Sequence, residues 1–157
     1  MSFVINRNFT IYPEIPEGPV KMAAQDLLRD IRTLCLPAQE PGGQLILQSD
    51  PDLTEGQFRL SLTDRAAAAY EAGQAAGSAL LLEAGDEMGL VYGFYEISRR
   101  FLGVKDFWFW NDQVFHPQAF FPVPDGFCYE SKPYAVRFRG WFINDEVLLY
   151  KWHIGHD

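Results

Sequence analysis

The chain has 157 residues, 48% of them hydrophobic and 15% aromatic, with a formal net charge of −8. Its length fits one ordinary domain of roughly 100 to 200 residues with a real core, and the aromatic content implies more apolar surface than one small domain buries. The negative charge repels polyanions at long range, which argues against nucleic acid and anionic membranes as partners.

Residues 3–5 (FVI) and 9–12 (FTIY) read as short strands separated by the turn-formers Asn6, Arg7 and Asn8, an edge hairpin by this pattern. No apolar core of a signal peptide lies in the first 14 residues, and no run approaches the ~18 apolar residues of a membrane span. A soluble chain in a reducing, cytoplasmic compartment is the expectation. The next element spans 17–35: Pro19 suits a first helical turn, and Val20, Ala23, Ala24, Leu27, Leu28, Ile31 and Leu34 recur at helical spacing. Pro37 and the turn Pro41-Gly42-Gly43 end it.

Two strands follow, 44–48 and 57–63. In the second, Phe58, Leu60 and Leu62 alternate with Arg59, Ser61 and Thr63, so one face covers a core. The Ala-rich stretch 64–78 reads as a short surface helix or excursion without chemistry. ALLLEA (79–84) is a continuous apolar run, the mark of a central strand buried on both faces.

A helix over 87–102 comes next. Asp86 is placed to cap its N–H groups and Glu87 to favour its positive end. Gly89 and Gly93 share one face and admit close approach of another backbone. Leu90, Phe94, Ile97 and Phe101 form one apolar stripe, and Met88, Tyr92 and Tyr95 a second, which predicts a sandwiched helix. Arg99, Arg100 and Gly103 mark its end. The glycine spacing does not match a phosphate-binding G-x-G-x-x-G loop.

VKDFWFWND (104–112) reads as an aromatic strand or loop that seals a domain edge, with stacking on sugar rings as the alternative. Residues 113–133 read as a wrapped, ordered connector whose prolines forbid helix and whose phenylalanines need burial. Val136, Phe138 and 141–143 read as a strand ending on Asn144, Asp145 and Glu146, either a functional strand end or a polar loop.

Cys35 and Cys128 are too few for a metal knuckle or disulfide framework and read as buried free thiols. His153 and His156 lack a third placed ligand, so no metal site is expected. No cofactor motif and no nucleophile elbow appear, and sequence spacing pairs none of Asp86, Glu87, Asp112, Asp145 and Glu146 as a glycosidase dyad.

Three stretches, LLLEAGDEMGLVYGFYEISRRFLGV, DFWFWND and VRFRGWFINDE, together resemble the N-terminal region of glycoside hydrolase family 115 α-glucuronidases and related enzymes with a hexosaminidase-type N-terminal domain. The resemblance covers 79–112 and 134–146 and is weak before residue 57. It implies an α+β fold: a mixed β-sheet packed with two main helices (1–130), then a connector and the first strand of a truncated (β/α)8 barrel (131–157).

A complete barrel takes about 250 residues, so the resemblance implies a piece of a longer enzyme, with no catalytic residue in this piece. It further implies that Asn144, Asp145, Glu146 and Trp110 face substrate or the domain junction in the whole enzyme. The partners expected are its own catalytic barrel, the carbohydrate substrate of the parent enzyme and, through an exposed aromatic surface, a second copy. A free-standing carbohydrate-binding module using Trp108, Trp110 and Trp141 is the rival expectation.

Overall fold

Strand β5 (Ala79–Ala84) is the centre around which the chain is arranged. The computed structural model describes residues 3–63, 78–108 and 111–136. On one side β5 pairs in parallel with β3 (Gln44–Ser49), which pairs in parallel with β2 (Thr10–Tyr12). On its other side β4 (Phe58–Thr63) runs antiparallel, followed by antiparallel β7 (Cys128–Glu130). The result is a five-stranded mixed sheet of order β2-β3-β5-β4-β7. Leu80 and Leu82 are fully buried and Leu81 nearly so, as the unbroken apolar run of β5 predicts.

Helix α1 (Pro19–Leu34) joins β2 to β3, the crossover that parallel strands require, and α2 (Glu87–Phe101) follows β5. Ala23, Leu27 and Ile31 of α1 and Phe94 and Ile97 of α2 share one core cluster with Leu45, Leu60, Leu80 and Leu82 of the sheet. Both helices therefore cover the same sheet face. Among the described residues the fold is α+β with a mixed sheet and two helices, as expected, and both helices start and end within two residues of the expected limits.

Several expectations need correction. Residues 3–5 and 9–12 do not form a hairpin. Strand β1 (Val4–Ile5) pairs antiparallel with β6 (Phe121–Pro122) in a separate two-stranded ribbon, while β2 joins the main sheet. The cause is local: the Asn6 carbonyl and side chain accept from Phe9 N–H and Asn8 N–H, which turns the chain before β2 begins. Stretch 113–133 is more than a connector, because it contributes both β6 and β7. Its anchor is Ser131, whose Oγ accepts from Phe58 N–H at 2.9 Å while its own N–H donates to the Phe58 carbonyl.

Of the two forms expected for 104–112, strand or loop, residues 104–108 take the loop, with Phe107 at a positive φ of 57°. The second stripe of α2 is not covered throughout: Tyr92 meets Tyr134 edge-on at 5.1 Å, but Met88 and Tyr95 stay 43% and 47% exposed. Cys35 is buried as expected; Cys128 is exposed, because β7 is an edge strand. The Ala-rich stretch 64–77 and the expected barrel strand beyond Val136 lie outside the described residues.

Candidate functional site

The opening of α2 shows how its acids are used. One oxygen of Asp86 accepts from Gly89 N–H at 2.8 Å and from Gly56 N–H at 3.0 Å, so the carboxylate caps the helix and ties it to the loop before β4. Gly89 and Gly93 face the sheet. A Cβ on Gly89 would overlap the Gln57 carbonyl oxygen, and one on Gly93 would overlap the Leu82 methyls. Two glycines inside a helix cost about 1 kcal/mol each relative to alanine. Full burial of Phe94 and Ile97, at about 2 kcal/mol each, outweighs that.

At the other end of α2, Glu96 is buried and receives both Arg99 and Arg100. The Arg99 guanidinium is held above its ordinary pKa, chiefly by its hydrogen bonds to Glu96. Arg100 also lies over the Tyr129 ring, 4.1 Å from its centroid, which links the helix end to β7. Gly103, at φ 74°, takes the left-handed position expected past the helix end. Arg59 plays a similar bridging role on the sheet, reaching Asp50 and Glu130 at 2.9 Å and Glu83 at 3.4 Å. All these charges hold elements together.

Two of the recesses among the described residues bear on function. One, of about 360 Å³, opens where parallel β2 and β3 end and both helices begin, between Pro13, Ile15, Leu47, Gln48, Glu17 and Glu87. Open α/β sheets bind ligands at such carboxyl ends. Here Glu17 already pairs with Lys21, whereas Glu87 makes no ion pair among the described residues.

The other recess, of about 310 Å³, lies between the free edge of β2 and α1 and is lined by Arg7, Phe9, Thr10, Ile11, Leu28, Ile31 and Arg32. Sequence reading missed this pair of arginines, which are brought together only by the β2–α1 packing. A signal was present, however. Lys21 and Arg29 of α1 each have an acid three or four residues away, and Arg32 has none.

Of the residues expected to meet substrate, Trp110, Asn144, Asp145 and Glu146 lie outside the described residues, as do Trp141, His153 and His156. Asp112 is exposed at a positive φ of 51°. Trp108 is 41% exposed and meets Phe115 edge-on at 5.7 Å. Among the described residues no three His, Cys, Asp or Glu side chains gather as a metal site, and no helix is long and apolar enough to cross a membrane.

No protein-family model matches the chain, and no curated protein does. Among solved structures, it is similar to a glycoside hydrolase family 20 exo-β-N-acetylglucosaminidase from Vibrio harveyi, bound to N-acetylglucosamine. That match has 16% identity and a TM-score of 0.45, and it covers 82% of this chain and 16% of that one. An inactive variant of the same enzyme matches with 20% identity and a TM-score of 0.35, covering 59% of this chain and 12% of that one. The chain thus spans about a sixth of the first enzyme's length or less. Both matches are β-N-acetylglucosaminidases, and neither is an α-glucuronidase.

Proposed function

We propose that this chain is a non-catalytic scaffold in a carbohydrate-active enzyme, an α+β domain that supports and orients a (β/α)8 catalytic barrel of the same protein. One observation carries the reading. In the stretch that most resembles hexosaminidase-type N-terminal domains, the distinctive residues are committed to structure: Asp86 caps α2 and ties down Gly56, and Gly89 lies on the Gln57 backbone.

In the whole enzyme Trp110, Asn144, Asp145 and Glu146 face the barrel junction or the carbohydrate, a placement that rests on the sequence resemblance. Specificity of the α-glucuronidase kind is the finer form of the proposal and rests on the same ground. The test is hydrolysis by the purified chain of chromogenic β-N-acetylglucosaminide and α-glucuronide substrates. No turnover above the blank is expected, and sustained turnover of either substrate overturns the reading.

A second reading follows from exposed apolar side chains. Phe107, Trp108, Val114 and Phe120 are 46%, 41%, 73% and 49% exposed within one short stretch, a surface suited to self-association. Sedimentation of the purified chain separates the readings: a dimer that Trp108→Ala dissolves favours self-association, and a monomer favours the scaffold alone.

A further inference from the structure

The recess between β2 and α1 departs from the charge pattern of the rest of the molecule. In a chain of net charge −8, Arg7 and Arg32 line one small cavity, and neither has a carboxylate partner among the described residues. Elsewhere Arg29, Arg59, Arg99 and Arg100 are all paired with acids. Two like charges beside one cavity repel, and a bound anion removes that repulsion.

The remaining lining completes a ligand environment. Arg7 is oriented by a hydrogen bond from Nη1 to the Cys35 carbonyl, 3.3 Å, which leaves its other N–H groups to donate. Phe9, Ile11, Leu28 and Ile31 supply an apolar floor. The backbone adds a donor. Thr10 N–H donates to the Gly43 carbonyl of the neighbouring segment, and in a parallel ladder the next amide, that of Ile11, then points away from β3 toward the free edge of β2. The volume, about 310 Å³, sits at the lower end of the range for small-ligand pockets.

We infer that this recess is a binding site for a small carboxylate with an apolar body, its charge held between Arg7 and Arg32 and its body on Phe9, Ile11, Leu28 and Ile31. Guanidinium groups favour planar carboxylates because both N–H groups can engage both oxygens. A ligand that was only a compact, fully hydrated anion would leave the apolar floor unused. The site lies at the opposite end of α1 from the recess at the helix starts, and it stands independently of the scaffold role.

The test is calorimetric titration of the 157-residue chain with benzoate, and with benzamide as the uncharged counterpart. Benzoate is expected to bind and benzamide not. Arg32→Gln is expected to weaken benzoate about 10-fold, the loss of one charge-assisted contact, and Arg7→Gln similarly, while Arg29→Gln leaves it unchanged. Arg32 is exposed on a helix surface, so its replacement leaves the fold intact, and of the two arginine variants it is the deciding one. Equal binding of benzamide, no benzoate binding up to tens of millimolar, or unchanged affinity in Arg32→Gln overturns the inference.

Discussion

Gly89 of α2 rests against the backbone carbonyl of Gln57, so closely that even a methyl group on its Cα would overlap the oxygen. The neighbour is main chain at the start of β4, whose position Ser131 fixes from the far side: Gln57 Nε2 donates to the Ser131 carbonyl at 3.0 Å.

Gly89→Ala therefore cannot be absorbed by a side-chain rotation. Despite a gain of about 1 kcal/mol in helix propensity, the variant should lose about 2 kcal/mol net from overpacking. Gly93→Ala should lose less, because the atoms it meets are the Leu82 methyls. Denaturant midpoints of the two variants check the order, and an unchanged Gly89→Ala midpoint would contradict the contact.

Ser131→Ala removes the oxygen that accepts Phe58 N–H and leaves a buried amide without that partner. The expected cost is about 1 to 2 kcal/mol. Amide exchange gives a second measure, since Phe58 N–H should lose protection more than Leu60 N–H does.

Tyr95 makes a pH prediction. Burial first, then its 2.8 Å hydrogen bond to Asp26, pushes its phenol up to about 12 from an ordinary 10. The folded state holds the proton more tightly than the unfolded chain does. Its contribution is therefore complete below pH 10 and is lost as pH rises toward 12. Chemical denaturation across that window should show a decline that Tyr95→Phe reduces, and an identical slope in both proteins would refute the assignment.

The thiols should separate cleanly. Cys35 is 1% exposed and burial raises its pKa, whereas Cys128 is exposed on an edge strand. One equivalent of a thiol reagent should react within minutes in the native protein, and Cys128→Ser should abolish that phase. The second equivalent should appear only on denaturation.

What the sequence made legible was local. The period of α1, the unbroken apolar run of β5, the Asp86 cap and Gly103 each depend on residues a few positions apart, and each stands where the pattern places it. Pairing was not legible. Two adjacent short strands suggest a hairpin, but Val4 and Ile5 find their partners near residue 121, and no period reveals a two-residue strand containing Pro122. The aromatics at 107–108 left strand and loop open by composition, and the backbone conformation makes them a turn. The Arg7–Arg32 recess was hidden for the same reason as the pairing: its halves meet only after β2 and α1 pack.

The ribbon that joins Val4 and Ile5 to Phe121 and Pro122 has a consequence during synthesis. An emerging polypeptide can wind α1 early and bring Gly43 N–H to the Val4 carbonyl soon after, yet the strand that pairs with β1 lies more than a hundred residues further on. Closure of so long a loop is slow compared with helix formation, so the side of Phe3 and Ile5 that Phe121 covers is the last part of their burial to form. Chaperone dependence in the cell should therefore track the delay before residue 121 is translated more closely than the final stability of the domain.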